Sequence, residues 1–332
     1  MTIRWGIIGT GDISSRLVPD LLTVDGCSVT AVWGRAQERA DSFAAEHDIP
    51  FATDQRARLL ERGDVDMVYI ATPAHTHRQI ALEALEAGKH VLVEKPMAMS
   101  APDVEAIFAK AREVGKFAME AMWMRFNRLH VEVIERIRAG LLGDVRSVRA
   151  SFGTPFRASP TRLRPADGGS ILLDRGIYAV TLAHWAMGRP DSVNASGVVD
   201  GAVDIAGHAT LDYSDGRFAH AAWSGVEFLD LSAAISGDHG WVTLDPMFWA
   251  GSTARIHAGS AERIFGSPEI LNHPRQGNGY VPMLGAVRDA LRDGLWEHPS
   301  HDRDSTVEVA QTLDAIRELV DNNSLETTRD SI

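Results

Sequence analysis

At 332 residues the chain exceeds the roughly 250–300 residues at which single cores stop growing, which implies two domains. An apolar share of 45% with 23% charged residues is that of a globular protein and excludes disorder by composition. A net charge of −12 argues against nucleic acid or an anionic membrane as partner, and the single cysteine, Cys27, excludes an intrachain disulfide and a thiolate zinc cluster.

The chain opens directly on a strand, with no basic stretch followed by an apolar one, and no apolar run approaches the ~18 residues of a membrane span. A cytoplasmic protein is expected. Apolar runs at 3–8, 29–33, 67–70, 90–93 and 117–120 alternate with amphipathic stretches at 13–24, 36–47, 76–87 and 101–114. That alternation predicts a parallel sheet wound with helices, in which buried strands read as continuous apolar runs. Cys27, at the entry to the second strand, is expected to be a small buried hydrophobe.

After a helix near 129–139 the pattern changes to period-two runs at 145–152, 206–213, 217–224, 229–235 and 241–244. Asp215-Gly216 lies between two of them and predicts a hairpin, because this pair readily supplies positive φ. Helices are expected at 170–187, 280–295 and 304–320, and a frayed polar tail after Asp321. The fold class is therefore α/β: an N-terminal Rossmann domain over 1–121, then an α+β domain over 122–332 with a large open, mostly antiparallel sheet.

The chemistry starts at Gly9-Thr10-Gly11-Asp12-Ile13-Ser14, directly after the first strand and opening the first helix. Gly9 permits the tight turn, Gly11 lets backbone approach a pyrophosphate, and free amides at the helix N-terminus hold the anion. A plain strand-to-helix turn would also explain two glycines; the strands that follow favour a dinucleotide. At the end of the second strand an NAD enzyme usually places an acid, but here stand Trp33-Gly34-Arg35, with Arg39 one turn later. A guanidinium matches a phosphate, so Arg35 is expected on the 2′-phosphate of NADP, with Arg39 either assisting or simply solvated. Glu94-Lys95-Pro96 ends the strand at 90–93, on the sheet edge where doubly wound folds bind ligands. There the Lys95 ammonium could stabilise charge developing on a substrate oxygen.

The segments 6–14 (GIIGTGDIS), 69–77 (YIATPAHTH), 94–100 (EKPMAMS) and 168–180 (GGSILLDRGIYAV), in that order, resemble the Gfo/Idh/MocA oxidoreductases. Residues 120–126 (EAMWMRF) and Tyr178 resemble most the branch of dimeric dihydrodiol and NADP-dependent xylose dehydrogenases. The resemblance implies Lys95 as a catalytic residue and a homodimer or homotetramer formed through the outer face of the second-domain sheet. It also implies that Ala71, Thr72 and Pro73 lie along the cofactor, followed by His75 and His77, one of which could instead cap the next helix. Glu94 matches a cofactor-contacting acid, and Trp123 and Arg125 match residues near the nicotinamide.

Asp174 and Tyr178, four apart on an expected helix, would share one face. Tyr178 is read as the proton exchanger and Asp174 as the group orienting a sugar hydroxyl or the lysine. Without the resemblance a core tyrosine would be the plainer reading. His184 and Trp185 are expected to pack against the sheet, and 298–302 (HPSHD) to be a solvated turn, with no metal site. The expected activity is NADP-dependent hydride transfer at a CH–OH or C=O group of a sugar or trans-diol. The alternatives are an NAD-dependent inositol-type dehydrogenase and a non-catalytic dinucleotide-binding regulator. The arginine-rich stretch 156–167 suggests a hydroxyl-rich or anionic substrate.

Overall fold

The computed structural model describes residues 2–155 and 168–323 and the backbone of 325–326; the arginine-rich stretch 156–167 lies outside them. Contacts group the chain into two compact units, residues 1–126 with 276–307, and residues 127–275 with 308–332. The sequence suggested a single cut at 121/122; instead, residues 276–307 return to the first unit. They dock through Asp20, whose buried carboxylate accepts the backbone N–H groups of Asn278 and Tyr280 at 2.8 and 2.9 Å.

In the first unit, β1 (Ile3–Ile8), β2 (Cys27–Trp33), β3 (Ala52–Thr53), β4 (Met67–Ile70), β5 (His90–Val93) and β6 (Ala118–Glu120) form one sheet. Its order is β3-β2-β1-β4-β5-β6, and every pairing is parallel. The order reverses between β1 and β4, so a crevice opens beyond their carboxyl ends. Helices α1 (Asp12–Leu22), α2 (Gln37–Glu46), α3 (Arg56–Leu60), α4 (His77–Glu86) and α5 (Ala101–Glu113) connect the strands, and α9 (Val281–Arg292) joins them from the returning segment. Strands β4 and β5 are buried along their apolar residues, as continuous apolar runs require. Neither β3 nor α3 was foreseen, since two and five residues are too short to show a period. Cys27 is half-buried in β2, and burial pushes its thiol pKa up, away from nucleophilic chemistry.

The second unit holds α6 (Arg128–Arg138), α7 (Ile177–Met187), α8 (Ala261–Phe265) and a nine-stranded sheet. Its strands are β7 (Val145–Gly153), β8 (Ser192–Asp200), β9 (Val203–Asp212), β10 (Phe218–Ser224), β11 (Ala233–Gly237), β12 (Gly240–Leu244), β13 (Thr253–Ala258), β14 (Glu269–Asn272) and β15 (Leu325–Glu326). Their order is β14-β13-β12-β11-β7-β10-β9-β8-β15, antiparallel except for β7 with β10 and β8 with β15. The Asp215-Gly216 hairpin joins β9 to β10 as expected, with Gly216 at φ +83. The run at 229–235 becomes strand only from Ala233, and β8, β13 and β14 are additional. The tail after Asp321 does not simply fray: Leu325 and Glu326 pair with Val198 and Val199. Pairing uses backbone groups, which a polar side-chain pattern does not reveal. Among the described residues no helix is long and apolar enough to cross a membrane.

Candidate active site

On the first unit the glycine turn is built for close approach. Gly9 has φ +117, and a Cβ there would lie 2.5 Å from the Ala71 carbonyl oxygen, so only glycine fits between the ends of β1 and β4. Gly11 is the N-cap of α1, in extended conformation, with no side chain capping the first-turn amides. A Cβ on Gly11 would meet nothing within 4 Å, so open space faces the uncapped helix end. Ser14 Oγ is buried there without a hydrogen-bond partner among the described residues. An uncapped helix N-terminus beside open space and an unsatisfied hydroxyl fits a pyrophosphate. Thr10 packs against Gly34, where a Cβ would lie 3.2 Å from the Thr10 methyl; Asp12 and Ile13 begin the helix. Arg35 and Arg39 are exposed beyond β2 and, among the described residues, have no ion pair. Trp33 is nearly buried, and its Nε1 donates to the Asp54 carbonyl at 2.9 Å.

Lys95 is half-buried, directly after β5, in a segment fixed by three neighbours. The buried Glu94 carboxylate accepts the Tyr69 hydroxyl at 2.6 Å and the Lys95 N–H at 3.1 Å. Burial pushes the Glu94 pKa up, and the Tyr69 bond opposes it. The Lys95–Pro96 peptide is cis, and the Pro96 carbonyl faces His77 Nδ1 at 2.9 Å. Met97 N–H donates to Glu120 Oε1 at 2.9 Å. His77 Nε2 faces the Thr72 carbonyl at 2.8 Å, so this buried ring spans the segments after β4 and β5 rather than capping α4. His75 is exposed, as is Pro73, while Ala71 and Thr72 are half-buried.

Residues 298–302 form a turn with Pro299 and Ser300 exposed, but it is not solvated throughout. His301 is 1% exposed, and its Nε2 lies 3.0 Å from Glu120 Oε2 at the end of β6. A carboxylate already engaged at the sheet end draws this histidine inward, which the local sequence could not signal. The neighbouring Ser300 carbonyl accepts Arg125 Nε and Nη2 at 3.1 and 2.5 Å, and Trp123 packs against Tyr280 with ring centroids 5.4 Å apart. Among the described residues no three His, Cys, Asp or Glu side chains could together hold a metal ion.

On the second unit the helix expected over 170–187 is not regular. A π turn over Leu172–Gly176 precedes α7, and Ile177 N–H reaches back to the Leu172 carbonyl. Asp174 therefore lies in a widened turn, so its spacing to Tyr178 is not that of an α-helix; such turns recur at functional sites. Gly176 makes room: a Cβ there would lie 2.8 Å from Leu172 Cδ1. Arg175, 2% exposed, donates to the Thr154 and Ser224 carbonyls, and its guanidinium lies 5.1 Å from the Phe152 ring. Tyr178 is 5% exposed beside a stacked aromatic pair, Phe152 and Trp249, whose ring centroids are 3.5 Å apart. The phenol ring lies 6.0 and 6.1 Å from the two. His184 meets Thr312 of α10 (Arg303–Asn322) at 2.9 Å, so its polar end faces a helix and not the sheet.

Sequence reasoning missed Tyr69, Glu120, His301, Phe152 and Trp249. A pair of period-two strands could have suggested Phe152 as a wall residue; for the others the partner is remote in the chain.

The model of an oxidoreductase family with an NAD-binding Rossmann fold matches residues 3–122, and that of the GFO/IDH/MocA C-terminal domain matches residues 130–243. The chain is 33% identical to trans-1,2-dihydrobenzene-1,2-diol dehydrogenase of Xenopus tropicalis over 95% of its own length and 97% of that protein's. It is 32% identical to the Sus scrofa protein of the same name, covering 96% and 97%. Among solved structures it superposes on aldose-aldose oxidoreductase from Caulobacter crescentus, crystallised with glycerol, at a TM-score of 0.86 and 26% identity, over 98% of this chain and 100% of that one. KijD10, a 3-ketoreductase from Actinomadura kijaniata in complex with NADP and TDP-benzene, gives 0.86 and 28%, over 99% and 100%. Two family models in the expected order, on a Rossmann sheet followed by a large open one, settle the kinship: this chain belongs to the Gfo/Idh/MocA oxidoreductases.

Proposed function

We propose that the protein is an NADP-dependent dehydrogenase acting on a CH–OH group of a sugar or trans-diol. The observation that carries this reading is the threefold anchoring of the Lys95 segment at the carboxyl end of β5, through Glu94, Pro96 and Met97. A lysine whose backbone is fixed in this way is suited to presenting its ammonium to a single reacting oxygen. Arg35, exposed after β2 where an acid would select NAD, supports NADP, with Arg39 beside it. Gly9, Thr10, Gly11, Asp12 and Ile13 would hold the pyrophosphate, with Trp33 and Gly34 at the adenosine end. Ala71, Thr72, Pro73, His75, His77, Glu94, Trp123 and Arg125 would line the nicotinamide end.

When bound, NADP+ supplies the hydride acceptor. Tyr178 would take the hydroxyl proton as the carbinol carbon loses hydride, and Lys95 would stabilise charge developing on the reacting oxygen. Asp174 orients a neighbouring hydroxyl. The Phe152–Trp249 pair beside Tyr178 offers an apolar wall for an alicyclic ring or the C–H face of a sugar. The reading takes the protein as a cytoplasmic homodimer or homotetramer assembled through its nine-stranded sheet, where Phe218 and Ile270 are exposed.

A panel of trans-diols, aldoses and inositols with NADP+ or NAD+, followed by nicotinamide absorbance, tests it. NADP+ is expected to be preferred, and Arg35→Ala to equalise the two cofactors. Lys95→Met and Tyr178→Phe should each lower turnover by about 10²–10⁴-fold, the scale of a lost acid–base catalyst. Unaltered turnover in both removes the mechanism.

A further inference from the structure

Among the described residues, the most deeply buried acid of the second unit is Asp204, at the start of β9. It sits beneath the helix that carries Asp174 and Tyr178. Its Oδ2 accepts the Leu172 N–H at 2.6 Å and Trp223 Nε1 at 3.0 Å, and its Oδ1 accepts the Ser170 hydroxyl at 2.5 Å. Ser170 Oγ in turn accepts the Leu173 N–H at 3.1 Å, so one carboxylate and one hydroxyl satisfy the first amides of the π turn. The packing is arranged to bring the indole there. A Cβ on Gly207 would lie 2.5 Å from the Trp223 ring, and one on Gly176 would lie 3.3 Å from it.

We propose that Asp204 is a positioning residue, one that fixes the start of this helix so that the π turn bearing Asp174 and the first turn of α7 bearing Tyr178 keep one register. The proposal rests on the dehydrogenase reading for its catalytic consequence, though not for the clamp itself. A buried carboxylate is costly unless donors surround it, and here three do. Burial still pushes its pKa up to about 6, with the like charge of Asp321 adding to the rise and the three neutral donors opposing it. Because the folded value lies above the ordinary one, ionisation of Asp204 costs stability as pH rises through about 6. A group retained at a cost in stability is what a demand on site geometry leaves behind.

The test compares Asp204→Asn with Asp204→Ala in the NADP+-loaded protein. The amide of Asn can accept from Leu172 and Trp223 and donate to Ser170, whose hydroxyl is free to turn; Ala leaves all three groups unpaired. Hydrogen exchange of the amides over residues 172–177 should stay protected with Asn and lose protection with Ala. Turnover should remain close to wild type with Asn and fall about 10²-fold with Ala, the scale of a misplaced catalytic group, while NADPH binds both variants equally. The stability of the wild type relative to the Asn variant should fall as pH rises through about 6, a mark that mere packing would not leave.

Full protection or wild-type turnover with Ala overturns the proposal, and so does an Asn variant as impaired as Ala. Should the Ala variant fail to fold, Trp223→Phe removes one donor and keeps most of the ring; unchanged protection and turnover there would equally overturn it. If wild-type protein turned over none of the diols or sugars while the Ala variant lost protection, the dehydrogenase reading would fall and the clamp would stand.

Discussion

Gly9 and Gly11 stand two residues apart and differ in what a side chain would cost. A methyl group on Gly9 meets the Ala71 carbonyl at 2.5 Å in a backbone region that L-residues rarely enter, so Gly9→Ala should destabilise the protein by about 2 kcal/mol in urea unfolding. On Gly11 a methyl group meets open space with the backbone extended, so Gly11→Ala should leave the unfolding midpoint unchanged or slightly raised. The same methyl would stand where a pyrophosphate is expected to approach, and NADPH affinity should weaken at least about tenfold, or 1.4 kcal/mol. Equal NADPH affinity in wild type and Gly11→Ala would remove the pyrophosphate from this turn. These residues were legible because their meaning is local: a strand, a turn and a helix start within a few positions. Asp204 was not, since its three donors come from the segment before α7 and from β10.

Regular elements of the first unit followed from apolar runs because strands buried on both faces leave a continuous signature. The second unit was harder to read. Strand β13 buries Ala254, Ile256 and Ala258, and two of those three are too small to mark an apolar period. In β8, Gly197 reads as a break, yet its missing Cβ admits the Ala206 carbonyl and Val320 at 2.8 and 2.9 Å. His301 looked solvated because Glu120, its partner, is far away in the chain. That contact carries its own consequence for the Lys95 segment, since Glu120 also holds Met97. His301→Ala should cost about 2 kcal/mol, the scale of a lost hydrogen bond to a buried charged group, measured by urea unfolding. His301→Gln, which can still donate to Glu120, should recover most of that stability. A Gln variant no better than Ala would mean that ring packing, and not the bond to Glu120, holds the segment.

Buried and half-buried histidines on both units give the molecule a definite response to acid. Burial pushes His77, His298 and His301 below the ordinary histidine value of 6.5, and takes His90 and His130 to about 4. For His90 the geometry agrees, because its Nδ1 accepts the Phe117 N–H, a bond that only an unprotonated nitrogen can make. The unfolded chain takes up these protons near 6.5 and the folded chain only lower, so stability is full above that value and falls as pH drops below it. Asp204 acts in the opposite direction, since protonation below about 6 relieves its cost. One carboxylate offsets only part of five histidines, so acid lability should win. Each fully responding group contributes up to about 1.4 kcal/mol per pH unit. Against a total stability of about 5–15 kcal/mol, the expected loss between pH 6.5 and 5 is large enough to move the urea midpoint clearly. Ion-paired carboxylates such as Asp66 and Glu269, held below the usual range by Arg4 and Arg136, add to the loss only at lower pH. His130→Leu removes one of the five at a site that is 1% exposed, and should flatten the slope between pH 6 and 5 by up to about 1.4 kcal/mol per unit. A wild-type midpoint that does not move over this range would mean that these rings take up protons in the folded protein as readily as in the unfolded chain. The His90–Phe117 bond would then break as the ring takes up its proton.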